Sequence, residues 1–123
     1  MDLSEQNKLF KEKFLKDLES ELDLNRSKGL NLASTQLGYF EVSEVDHTPT
    51  TDSDVRRRDF IRDVLSQELK QYAEESGYDV EVNFKSSRRP IASSPNETYN
   101  AGYYELTITR KDTDKRRMVT QNA

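Results

Sequence analysis

The chain has 123 residues, no cysteine, 33% hydrophobic and 34% charged side chains, and a formal net charge of −4. This length suggests one domain with a modest core, and the lack of cysteine excludes disulfides, thiolate metal sites and cysteine nucleophiles. The opening MDLSEQNKLF has no basic-then-apolar signal pattern, and no apolar run approaches the roughly 18 residues of a membrane span, so a reducing, cytoplasmic compartment is expected.

Charge is unevenly distributed. Residues 1–50 carry six basic and ten acidic side chains, residues 51–123 carry thirteen of each, and nine of the ten arginines fall in the second part. Arginine suits bidentate contacts to carboxylate or phosphate, so polar recognition is expected there.

In chain order, LSEQNKLFKEKFLKDLESELDL predicts a helix. Phe10, Phe14, Leu18 and Leu22 recur every four residues, with Leu9 and Leu15 beside them, and Asp2 or Ser4 is positioned to cap it. Residues 25–36 read as a loop, with Asn25 and Gly29 as helix stops. A strand is expected over residues 37–45, although its alternation is imperfect. DHTPTTDSD breaks the chain before a second helix over about residues 53–76. Thr51, Asp52 or Ser53 would cap it, and Gly77 would end it. Its apolar stripe is Ile61, Val64, Leu65, Leu69, Tyr72 and Ala73, with Phe60 at the edge.

YDVEVNF alternates Val80, Val82 and Phe84 against Asp79, Glu81 and Asn83. GYYELTITRK alternates Tyr104, Leu106 and Ile108 against Tyr103, Glu105, Thr107 and Thr109. Each is a half-buried strand, and together they suggest an antiparallel pair. Between them lies KSSRRPIASSPNETYN, far longer than the two to five residues of an ordinary hairpin turn. Pro90, Pro95 and four serines read as a long irregular loop. The fold expected is α+β, in the order α-β-α-β-β: two amphipathic helices on a small antiparallel sheet, as one domain over residues 1–110. A long hairpin loop and a polar tail over residues 111–123 complete it.

Chemical motifs are scarce. His47 is the only histidine, no nucleophile elbow or phosphate-cradling glycine pattern occurs, and no cofactor is expected. Asp59 and Asp63 are expected to bridge to nearby arginines and not to bind a metal. Asp79, Glu81 and Lys85 approach a nuclease-like set, but Glu81 and Lys85 are four residues apart, and opposite strand faces would keep the three from converging. No enzymatic activity is expected.

Three basic clusters stand out: Arg56, Arg57, Arg58 and Arg62; Lys85, Arg88 and Arg89; and Arg110, Lys111, Lys115, Arg116 and Arg117. Two of them could meet. Local acids could equally neutralise them. A short, charge-rich, cysteine-free chain without a catalytic signature has the look of small accessory or virus-encoded proteins. The function expected is binding to a protein partner, self or other, through residues 85–101, with Arg88, Arg89, Ile91 and Tyr99 as contacts. The alternative is a nucleic-acid-binding module using Arg56, Arg57, Arg58, Lys85, Arg88 and Arg89.

Overall fold

The computed structural model describes residues 3–111. Helix α1 (Leu3–Ser27) leads into strand β1 (Leu32–Glu41). Helix α2 (Asp52–Phe60) continues through a π-helical turn (Ile61–Leu65) into α3 (Ser66–Glu75). Strands β2 (Tyr78–Ile91) and β3 (Ser94–Arg110) complete the sheet, whose order is β1-β3-β2 with antiparallel neighbours throughout. The fold is therefore α+β, with helices on one face of a three-stranded antiparallel sheet.

Helix α1 runs past Asn25 and stops where the left-handed Gly29 (φ 89°) allows. The Leu30 N–H donates to the Asn25 carbonyl at 2.8 Å and the Gly29 N–H to that of Arg26 at 3.0 Å, a paired C-terminal cap. The Asn25 amide also donates to the Leu32 carbonyl at 2.8 Å. This tight turn starts β1 at Leu32, five residues before the expected Leu37, and ends it at Glu41 instead of Val45. The early part, LASTQ, lacks strand-rich side chains. Its strand character comes from pairing: Ala33 and Leu37 face the core, and the hydroxyls of Ser34 and Thr107 lie 2.7 Å apart across the sheet.

The imperfect alternation of β1 has a local cause. Leu37 pairs with Tyr104 but Phe40 pairs with Gly102, so β1 holds one extra residue in a bulge. Gly38, at φ 96°, lies in it, and a side chain there would start 2.4 Å from Ile61 Cδ1. The bulge turns both Leu37 and Phe40 into the core and sends Tyr39 to the helix-free face.

Thr51 caps α2, its hydroxyl accepting the Asp54 N–H at 3.1 Å. The π-helical turn inserts one residue, with the Ser66 N–H reaching back to the Ile61 carbonyl. Ile61, Ser66, Leu69 and Ala73 therefore line the core, while Val64 and Phe60 rotate outward, against the expected stripe. Helix α1 contributes Phe14, Leu15, Leu18 and Leu22; Leu9 and Phe10 are exposed, also against expectation. Leu106 and Ile108, fully buried on the central strand, complete the core. No described helix is long and apolar enough to cross a membrane. The expected cap Asp2 and the expected polar tail beyond Lys111, with Lys115, Arg116 and Arg117, lie outside the described residues.

The long loop expected over residues 85–101 is instead ladder. Lys85 pairs with Tyr103, and the pairing continues through Arg88–Asn100 and Arg89–Tyr99 to Pro90–Thr98. Only Ala92 and Ser93 form the turn. Proline is compatible with β2 because β2 is an outer strand, where a missing N–H need break no ladder bond. The three residues after Ser94 are looped out of register, which accommodates Pro95.

Candidate protein-binding groove

The arm formed by the outer parts of β2 and β3 returns to β1, and the two meet at Tyr39. The Arg89 guanidinium stacks over the Tyr39 ring, 3.8 Å from its centre, and its Nη1 donates to the Tyr39 hydroxyl at 2.8 Å. Such a stack contributes about 0.5–2 kcal/mol, depending on desolvation. The edge of Tyr103 packs on the same ring, with centroids 5.5 Å apart. The Tyr39 hydroxyl donates to Gln36 Oε1. From the helix side, Arg57 Nε donates to the Tyr39 carbonyl at 2.6 Å. Tyr39 was only a strand residue in the sequence. Its position opposite residues fifty and more places away gave no local signal.

The Arg88–Arg89 pair divides between the two faces. Arg88 bonds to Glu44, and to Thr98 Oγ1 at 2.9 Å. Glu44 belongs to a tight turn between Val42 and Pro49, which thereby ties to β2. His47, in a left-handed conformation (φ 58°) within that turn, is exposed and lies 3.3 Å from the Ser86 hydroxyl. Only Arg89 reaches the face carrying Tyr39.

Beside that stack, Tyr39, Phe40, Glu41, Asp54, Ile91 and Tyr99 line an open groove of about 340 Å³. Its walls are aromatic and aliphatic; its far end is acidic. Asp54 accepts from the Glu41 N–H at 3.0 Å, from the Thr51 hydroxyl at 2.6 Å and from the Thr50 hydroxyl at 3.2 Å. Burial pulls its pKa upward, but these bonds outweigh burial and hold the carboxyl below its usual range. The same Thr50 hydroxyl lies 3.0 Å from Glu41 Oε2, so its one proton is shared between the two carboxylates. Of the expected contacts, Ile91 and Tyr99 thus share one depression, Arg89 stacks on its Tyr39 wall, and Arg88 is turned to Glu44 and Thr98.

Most of the basic clusters meet local acids. Arg58 bonds to Asp59 at 2.9 Å, Arg62 to Asp63 at 2.7 Å and to Asp59 at 3.3 Å, and Arg110 to Asp23 at 3.2 Å. Lys85 bonds to Glu105 at 2.9 Å, a contact that raises its pKa. Arg56, Arg57 and Arg89 have no carboxylate partner among the described residues. Arg57 and Arg89 touch Tyr39 at different points, the backbone carbonyl from the helix side and the ring on the helix-free face, so one residue from each of the first two clusters contacts Tyr39.

Asp79, Glu81 and Lys85 occupy one face of β2, not opposite faces, since their partners Thr109, Thr107 and Tyr103 alternate in step. The ammonium of Lys85 is engaged by Glu105. Among the described residues no group of three or more acidic or histidine side chains is placed to hold a metal ion.

No family model matches the sequence, and neither curated proteins nor solved structures gave a match.

Proposed function

We propose that this protein works by binding another protein, without catalysis, and that the groove beside Tyr39 receives an extended partner segment. The observation that carries the reading is the convergence of Ile91 and Tyr99 from the arm with Glu41 and Asp54 from the body. Apolar walls with one acidic end suit an aliphatic or aromatic anchor followed by lysine or arginine. The Arg89–Tyr39 stack fixes the arm in advance, which lowers the ordering cost of binding. Panning a library of short random peptides on the folded protein tests this. Enriched peptides are expected to pair an apolar with a basic residue, and to lose about tenfold or more in affinity for Ile91→Asp and Glu41→Lys. Peptides that bind both variants as well as the parent would refute the groove.

One observation favours a second reading. Arg57, on the Tyr39 carbonyl, and Arg89, on the Tyr39 ring, have no carboxylate partner among the described residues, which leaves their charge for nucleic-acid phosphates. Oligonucleotide binding by this route should fall by orders of magnitude between about 50 and 200 mM salt only if many phosphates are contacted. So few arginines without carboxylate partners predict weak binding with a shallow salt slope.

A further inference from the structure

Strand β2 is an outer strand of the sheet: one edge pairs with β3, and the other has no partner among the described residues. A long edge of this kind is a template for another strand. Its charges are segregated. Asp79 and Glu81 lie in the first half, and Lys85, Arg88 and Arg89 in the second. Antiparallel pairing of this strand with itself would therefore set acid against base on both sides of the axis. Parallel pairing would set like against like.

We propose that β2 pairs with β2 of a second copy, antiparallel, about a two-fold axis at Asn83, to give a continuous six-stranded sheet. Strand pleating requires facing residues to share a face of the sheet. With the axis at Asn83, Glu81 of each copy faces Lys85 of the other on the helix-free side. On the helix side Val82 faces Phe84, twice. Phe84 is 41% exposed in the single chain, although it packs on Phe40 and Tyr104, and this pairing covers it further. An axis at Phe84 would place Asn83 opposite Lys85 and Glu81 opposite Ser87. An axis at Val82 would place Asp79 opposite Lys85 and Val80 opposite Phe84, but Glu81 opposite Asn83, so exchanging Glu81 distinguishes that register from the one at Asn83. Only the Asn83 register sets both Glu81 residues on Lys85 and both Phe84 residues on Val82. Lys85 then bridges Glu105 of its own chain and Glu81 of the other. The paired stretch ends at Arg88 opposite Tyr78, so Arg89, Ile91 and Tyr99 stay free and the groove remains open. The inference is independent of what the groove binds.

Sedimentation velocity of the full chain over a concentration series tests it. The parent is expected to show a monomer–dimer equilibrium. Glu81→Lys or Lys85→Glu alone should weaken it about tenfold by placing like charges opposite each other, and the double exchange should restore it. Because the chain has no cysteine, Asn83→Cys gives an independent readout. Residues at the axis lie within disulfide reach of their own copies, so oxidation should link Asn83→Cys chains rapidly and Ser93→Cys chains, altered at the hairpin tip, slowly. The proposal is overturned if the parent is monomeric at about 100 μM, a concentration that would populate any association of micromolar strength. It is equally overturned if both single exchanges leave the dimer unchanged, or if the tip variant links as fast as the axis variant.

Discussion

Two residues carry consequences that single substitutions expose. The Tyr78 hydroxyl donates to Glu19 Oε2 at 2.5 Å, tying β2 to α1. Burial first, and this bond second, push its pKa up to about 12. The folded chain thus keeps a proton that the unfolded chain releases near pH 10, so this contribution is whole below pH 10 and is lost as pH rises towards 12. Spectrophotometric titration should show Tyr78 ionising late, and Tyr78→Phe should remove that late step and cost about 0.5–1.5 kcal/mol. Gly38 is the second residue. Gly38→Ala combines a left-handed backbone with a Cβ 2.4 Å from Ile61 Cδ1. A loss of about 2–4 kcal/mol is expected by denaturant unfolding, and a loss below half a kcal/mol would contradict the bulge. Gly38 was visible in the sequence, but its role was not. Only the pairing of Leu37 with Tyr104 and Phe40 with Gly102 shows why the alternation fails there.

At the scale of elements, periodicity revealed what was regular. Val80, Val82, Leu106 and Ile108 alternate in the sequence as they do in the sheet, and Gly77 ends α3 at φ 103°. Three elements escaped it, each for a non-local reason. The π-helical turn shifts the helical phase by one residue, which moves Val64 out and Ser66 in. The first residues of β1 are held by cross-strand pairing instead of by their own composition. The arm combines prolines and serines that favour irregular chain, yet it sits on an outer edge where proline is tolerated. This last difference predicts a protease result. The bond after Arg88, in a paired strand with the Arg88 side chain on Glu44 and that of Arg89 on Tyr39, should resist trypsin under native conditions. Arg89→Ala should speed cleavage after Arg88 by releasing the stack. Cleavage of the parent at the rate of an unfolded peptide would contradict the arm.

For the molecule as a whole, the helices cover one sheet face and leave the other to Tyr39, Tyr103, Lys85 and Arg89. The core centres on Leu106 and Ile108 of the middle strand, and Leu106→Ala should cost about 2–5 kcal/mol and loosen helices and sheet together. Acid should weaken the groove end of the molecule. Asp54 titrates below its usual range in the folded chain, so its stabilising bonds to Thr51, Thr50 and Glu41 persist above about pH 4 and fade as pH falls through its folded value. Asp54→Asn should flatten that part of the acid-unfolding curve. Sequence alone singled out Arg89, Ile91 and Tyr99 as expected contacts, because they are charged or apolar residues in a segment with no evident core role. It could not place Tyr39, Glu41 and Asp54 opposite them, since that requires the return of the arm. The arm is therefore the point on which the groove depends, and the most direct test is nuclear Overhauser contacts in the folded protein between residues 86–90 and 98–102. Cross-strand contacts linking Ser87 to Ala101 and Arg89 to Tyr99, with Arg89 side-chain contacts to the Tyr39 ring, are expected. Random-coil shifts over these residues, without contacts to Tyr39, would contradict both the groove and the function drawn from it.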